Sequence, residues 1–282
     1  ERQDEVFSVV SHAVSRKQNY SLSAELKTPN LFLPKNNLMF PDTCSAPGFT
    51  IQVLTQDFVE QHPGSRDHII ALVATTFCNH EPLCQFLGLP TKKFSEHFVQ
   101  HVVAKALEDG LSLVAVDNLT GQVAAISLDD DFYDGVQESE ENRAFEEMMK
   151  KEFPEMLPIL ALLEHLDATL VERKNEDFVV PKKIFHVFMV ATDSAHMGRG
   201  LAKALGSGTL SLAKQLGFTH IAVEPTSPIT QHIWAKIGAT VEYSLIPSDF
   251  QFPDGTTPFK KETGESMDRE VQICLLDLVD SP

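Results

Sequence analysis

The sequence is short of cysteine, of long apolar runs and of basic residues, and each shortage excludes something. Four cysteines, Cys44, Cys78, Cys84 and Cys274, stand among 282 residues. None pairs as CxxC or at a metal-ligand spacing, so no metal site and no disulfide framework are expected. The reducing cytosol is the expected compartment. No apolar stretch reaches the roughly 20 residues needed to cross a bilayer. No signal-peptide pattern is present, although an opening at Glu1 rather than Met leaves a removed targeting segment open. Lysine and arginine number 23 against 40 acidic residues, for a net charge of −17. That balance argues against nucleic acid and anionic membrane as partners, both of which demand basic surface, and is compatible with a cationic substrate.

What is present is ordinary globular composition, 43% hydrophobic and 22% charged, long enough for one large domain or two small ones. Residues 1–48 mix Ser, Asn, Lys and Pro with weak periodicity and read as an extended or partly helical arm. Regular structure begins with the alternating strand pattern from Phe49 to Leu54. An amphipathic helix follows over His68–Phe77 and ends near His80-Glu81-Pro82-Leu83, because the residue before proline is pushed out of the α region. A second helix covers Phe94–Asp109, with Gly110 as its C-cap. Ser112–Val116 and Gln122–Leu128 read as a hairpin around the turn signal Asn118-Leu119-Thr120-Gly121.

Beyond the hairpin, an acidic stretch runs from Asp129-Asp130-Asp131 to Glu138-Ser139-Glu140-Glu141. Most such runs are solvated. The apolar helix Pro158–Leu166 nevertheless makes residues 129–183 a structured insertion rather than a linker. From Lys182 the order is strand (Ile184–Val190), glycine-bearing loop (His196–Ala202), helix to Leu216, strand (His220–Val223), helix (Thr230–Ile237) and strand (Glu270–Leu276). This order predicts an α/β fold: one mixed, mostly antiparallel sheet with helices on both faces. The strands ending near Ala191 and Val223 should be parallel neighbours, joined by the helix that begins near Gly200.

The glycine loop has a chemical use. Glycines at 198 and 200 let backbone N–H groups face outward at a helix start, where the amides and the helix dipole suit a pyrophosphate. A tight turn that binds nothing fits the same residues. The loop has neither the Lys-Ser/Thr ending of a P-loop nor the GxGxxG spacing of a dinucleotide fold.

Met197-Gly198-Arg199-Gly200-Leu201-Ala202 resembles the acetyl-CoA loop of the GNAT superfamily of acyltransferases, Gln/Arg-x-x-Gly-x-Gly/Ala. Gly200 and Ala202 match, and Met197 departs from the usual Gln or Arg. The resemblance implies a GNAT-like domain over residues 49–282 and acetyl-CoA as co-substrate. The pyrophosphate would lie on the amides of 197–202, with Arg199 and Lys203 adding charge, and the thioester would lie along Met189, Val190 and Ala191.

Three further segments are similar to the invertebrate-type arylalkylamine and dopamine N-acetyltransferases. Phe77-Cys78-Asn79-His80-Glu81-Pro82-Leu83 matches that group's Phe…Asp-Glu-Pro-Leu-Asn, with Cys84 in place of Asn. Glu224-Pro225-Thr226-Ser227-Pro228-Ile229-Thr230 matches its Ser/Thr-rich segment, and Asp254-Gly255 with Phe259 its late loop. The similarity spans roughly residues 50–278.

The resemblance implies transfer of an acetyl group to a small primary amine. An alkyl ammonium has no lone pair, so a base is required, and a carboxylate serves if burial raises its pKa. In the family the glutamate of the Glu-Pro-Leu motif fills this role, here Glu81; a solvated helix-end carboxylate is the alternative. His186 is the rival base, since His-x-Phe-x-Val resembles the histidine-bearing strand of vertebrate serotonin N-acetyltransferases, yet a lone buried histidine is more often a satisfied core residue. Many GNAT enzymes protonate the CoA thiolate with a tyrosine four residues before the last glycine. Trp234 holds that place here, and Thr226 and Thr230 fall where the resembled family has serine hydroxyls, with helix capping as their alternative role. The departure of both Met197 and Trp234 from the common pattern leaves an acyl-CoA-binding pseudo-enzyme open. A nucleotide on the same loop, or a polyamine, amino acid or protein lysine as acceptor, also stays open. The expected partners are acetyl-CoA and a small amine, with a monomeric chain.

Overall fold

Alternating burial makes Phe49–Val53 a strand (β1), with Phe49 and Ile51 turned inward and Thr50 exposed. It is the first of seven strands in the computed structural model, which describes residues 40–41, 44–137, 139–175, 178–252 and 255–279. Most of the expected 1–48 arm lies outside the described residues, as does Asp254. The other strands are β2 (Leu113–Asp117), β3 (Val123–Asp131), β4 (Ile184–Thr192), β5 (His220–Val223), β6 (Thr240–Leu245) and β7 (Val271–Asp277). They form one sheet in the order β1-β2-β3-β4-β5-β7-β6. Every neighbouring pair is antiparallel except β4 with β5, the parallel pair expected from element order.

Helices cover both faces. On one lie α2 (Ser65–His80), α4 (residues 91–109, with a π-helical turn at Phe94–Val99) and α7 (Leu157–Lys174). Their Ile69, Val73, Phe94, Phe98, Leu162 and Leu166 share a core cluster with Leu128 and Met189 of the sheet. On the other face α8 (Leu201–Leu216) packs through Leu201, Leu205 and Leu212, and α9 (Pro228–Ile237) through Trp234. Shorter helices are α1 (Gln56–Gln61), α3 (Pro82–Leu87), α5 (Phe132–Val136) and α6 (Glu140–Glu152). Pro82 separates α2 from α3 as expected: Glu81 before it is extended, with φ −80° and ψ 126°. Gly110 caps α4 in the left-handed region.

The acidic stretch differs from its expected solvation. Asp129, Asp130 and Asp131 are the last residues of β3, and Asp129 and Asp131 are buried. Asp131 accepts from the amides of Tyr133 and Lys182, and Asp129 from Ser127 Oγ at 2.6 Å. Local hydrogen bonds, which composition does not reveal, make the burial tolerable.

Two irregularities open the sheet at its centre. First, β5 pairs with β4 only from Ile184 to Val187, so β4 continues from Phe188 to Thr192 with no β5 neighbour. Second, β4 carries one extra residue against β3: Leu128 faces Met189, and the next residue, Asp129, faces Val187. Phe188 is that bulge. It shifts the pleat, so that Phe185 and Val187 pack on the α8 face while Phe188 and Met189 both turn to the α2 face.

Candidate active site

Two spaces flank the free half of β4. The larger, about 400 Å³, is walled by Phe77, Phe94, Phe98, Phe188, Met156 and Leu163, with Glu81, Glu224, Thr226 and Thr230 as polar members. The smaller, about 100 Å³, runs between β4, α8 and α9 and touches Thr192, Ala202, Gly206 and Trp234. Val190, Ile229 and Thr230 border both, so the two spaces share a wall at the β4 edge.

The loop leading to the smaller space leaves β4 after Thr192, turns at Ser194–His196 and reaches α8 through Gly198 and Gly200, at φ 76° and 79°. Gly200 is the N-cap and offers no side-chain acceptor, so the first amides of α8 lack an internal partner. A Cβ at either glycine would meet nothing within 4 Å; it is the left-handed backbone that selects glycine. This is a fit for an anionic group such as a pyrophosphate. Met197 and Lys203 are exposed, whereas the Leu201 side chain is core and only its backbone faces the loop. Arg199 lies over the Phe49 ring at 4.4 Å and donates to His196 Nδ1 at 3.1 Å. Met189 and Ala191 are buried, and Val190 is half-buried at the junction of the spaces.

Glu81 lies on the wall of the larger space, at the break between α2 and α3. Its Oε1 accepts from the Leu83 amide at 3.0 Å and its Oε2 from the Cys84 amide at 2.6 Å, the arrangement of an N-cap. Two roles considered separately in the sequence thus coincide: Glu81 is a helix-end carboxylate and also lines the cavity. Thr226 and Thr230 are both on the wall. Neither caps α9; Ser227 does, accepting from the Thr230 amide, and its Oγ sits 2.7 Å from Thr230 Oγ1.

His186 is not on the wall. Its Nδ1 is 2.9 Å from Asp130 Oδ1 and its Nε2 2.7 Å from Glu224 Oε2. Burial alone would push the imidazole down, but Glu224 and Asp130 overcome it and hold the ring well above its usual value. An imidazolium engaged on both sides has no lone pair for a substrate. Asp167 of α7 is pushed well up by burial and by the charge of Glu224. Sequence reading missed Glu224, Asp130 and Asp167, which come from three separate elements. The signal available was His186 itself, since a histidine inside an apolar strand needs partners.

Burial also raises Asp129 to about 8 against its bonds from Ser127 and Thr209, and raises Glu164 to about 8 with help from Glu146. Asp131 is pushed to about 6 by burial, against the amide bonds from Lys182 and Tyr133. These groups bind protons more tightly folded than unfolded. Their stabilisation is therefore complete below the ordinary carboxylate value and is lost as pH climbs through the folded values. His186 acts in the same direction. The melting temperature is expected to fall from about pH 4 to about pH 8, and Asp129→Asn should flatten that decline in a thermal-melt series.

No protein-family model matches the sequence, and no curated protein does. Solved structures do. The C-terminal condensation domain of Ebony, in complex with beta-alanyl-dopamine, is 18% identical over 81% of this chain and 98% of that one, with a TM-score of 0.66. Arylalkylamine N-acetyltransferase 2 from Aedes aegypti is 22% identical over 82% and 99%, with a TM-score of 0.62. The chain has the GNAT fold. A Drosophila melanogaster polyamine N-acetyltransferase forming N-acetylagmatine shares it, at 18% identity over 81% and 100% and a TM-score of 0.58. Among the described residues no cluster suited to a metal ion occurs, and no helix is long and apolar enough to cross a membrane.

Proposed function

We propose that the chain is an acetyl-CoA-dependent N-acyltransferase that acetylates a small primary amine with an aromatic tail. One observation carries the reading: two spaces of different chemistry lie side by side at a free strand edge and share Val190, Ile229 and Thr230 as wall. One touches Ala202 in the uncapped first turn of α8, and the other is aromatic and bears carboxylates. The likeness to arylalkylamine and polyamine N-acetyltransferases supports the same reaction class. The acyltransferase unit is residues 49–282, with the 129–183 insertion supplying the Met156 and Leu163 part of the wall. The four cysteines in a chain of this length favour the reducing cytosol.

The residues divide the work. The amides of 197–202, with Arg199 and Lys203 nearby, hold the pyrophosphate of acetyl-CoA, which supplies the thioester at the edge of Met189, Val190 and Ala191. Glu81 takes the ammonium proton directly or through water. A backbone N–H near Val190 stabilises the charge developing on the carbonyl oxygen. Thr226 or Thr230 donates toward the departing sulfur; Thr230, which borders both spaces, is the better placed.

A second reading, binding without turnover, is favoured by Trp234, buried at 2% exposure on the smaller space where many GNAT enzymes carry tyrosine. Thiol release from acetyl-CoA against a panel of arylalkylamines, polyamines and amino acids separates the two. Turnover highest on an arylalkylamine supports the proposal. Acetyl-CoA binding with no turnover on any amine supports the second reading.

A further inference from the structure

Gly198 and Gly200 flank Arg199, and both glycines sit in the left-handed region. Glycine loses more conformational freedom on ordering than any other residue. A loop built this way has many shapes open to it, and neither glycine has a side chain that could select one. Within Gly198-Arg199-Gly200, only Arg199 has a handle.

That handle is engaged. The guanidinium lies over the Phe49 ring at 4.4 Å. Its Nη1 donates to His196 Nδ1 at 3.1 Å, and its Nη2 stands 3.6 Å from where a Cβ on Gly48 would be. His196 crosses the same ring at 87°, with the centroids 5.5 Å apart. Phe49 is 5% exposed and lines neither space. It opens β1 and pairs with Asp117 at the end of β2. Asp117 Oδ1 accepts from the Leu119 and Thr120 amides at 2.7 and 3.1 Å, and its Oδ2 is 4.0 Å from His196 Nδ1. The loop is thus tied at His196 and at Arg199 to one end of the β1–β2 pair. Both terminal nitrogens of Arg199 lie against this end of the sheet.

We infer that Arg199 is a latch. It holds the glycine loop in the shape that presents the first amides of α8, and it acts through Phe49 and His196 rather than by contact with phosphate. It is therefore a positioning residue. The inference rests on the acyl-transfer reading for the pyrophosphate as the loop's ligand. It also accounts for arginine between the glycines: a planar guanidinium covers an aromatic ring and donates in its own plane at once, which an ammonium does not.

The test begins with amide exchange in the protein free of acetyl-CoA. The His196 and Ala204 amides donate to the Asp193 and Gly200 carbonyls at 2.9 and 3.0 Å, so they report the loop and the first turn of α8. Arg199→Gln removes the cation, and Phe49→Leu removes the ring beneath it. Each should speed exchange at these two amides about 3- to 10-fold relative to the amides of α9, the scale of an exposed cation–π contact with one hydrogen bond. Acetyl-CoA affinity in calorimetry should fall by a similar factor in each. The double variant should bind no more than about 2-fold more weakly than the weaker single one, because both changes remove the same contact. Unchanged exchange in Arg199→Gln would overturn the latch, whether or not Phe49→Leu folds. So would full additivity in the double variant. Loss of affinity in Arg199→Gln with normal binding in Phe49→Leu would make Arg199 a phosphate ligand instead. Faster exchange in both variants of a protein that binds no acetyl-CoA would uphold the latch and sink the acyl-transfer reading.

Discussion

Glu81→Gln is expected to lower amine acetylation by about 10²- to 10⁴-fold, the usual contribution of a positioned base. Acetyl-CoA affinity should stay nearly constant, because Glu81 lies on the wall of the larger space and not on the loop before α8. Raising the pH should restore part of the rate, since more of the amine is then already deprotonated. The N-cap role brings a second effect. Glu81 accepts two amide bonds at the start of α3. Loss of such a cap typically costs about 1 kcal/mol, and glutamine keeps one acceptor oxygen, so a modest drop in melting temperature should accompany the rate loss. Glu81→Ala should melt lower than Glu81→Gln at a similar rate. The pH–rate profiles of Glu81→Gln and His186→Gln decide the assignment. If the glutamate variant keeps full activity while the histidine variant loses the acidic limb, the base is His186.

Gly200→Glu should reduce acetyl-CoA affinity by about 100-fold or more, since like charges brought together in a binding site cost several kcal/mol. The substitution acts twice. It forces a non-glycine residue into φ 79°, and it places a carboxylate at the uncapped start of α8. Gly200→Ala separates the two, keeping the backbone strain without the charge. The expected order of affinity in calorimetry is unmodified protein, then Gly200→Ala, then Gly200→Glu. Equal affinity in a folded Gly200→Glu variant would remove the loop from the donor site.

Much of this arrangement was legible in the sequence because it is written in local signals. Period-two and helical periodicities gave the element order, Pro82 gave the break that puts Glu81 at a helix end, and Gly198 and Gly200 marked the loop. What was hidden depends on tertiary placement. Asp130, His186, Glu224 and Asp167 sit on β3, on β4, just past β5 and on α7, and nothing in their spacing pairs them. Glu224 was read only as part of a hydroxyl-rich segment. The aspartates at 129–131 looked like the start of a solvated run because composition cannot report the Ser127, Tyr133 and Lys182 donors that bury them. Helix α6 was missed because only Met149 of its thirteen residues is fully buried, so its apolar signal is thin. The extra residue in β4 was invisible for a different reason. Ile184–Val190 is apolar almost throughout, and an apolar run has no phase from which a slipped pleat could be detected.

That slipped pleat separates two kinds of inherited change. A substitution in β4 alters one side chain and leaves the count of residues against β3 intact, so it can reshape the chamber by degrees. Deleting a single residue near Phe188 would bring the strand back into step, turn Met189 and Ala191 over to the α8 face and let β4 run flush with its neighbours. Such a chain could keep its sheet and lose its opening. Within this strand the number of residues between Ile184 and Thr192 is therefore expected to matter more to the opening than the identity of any one of them.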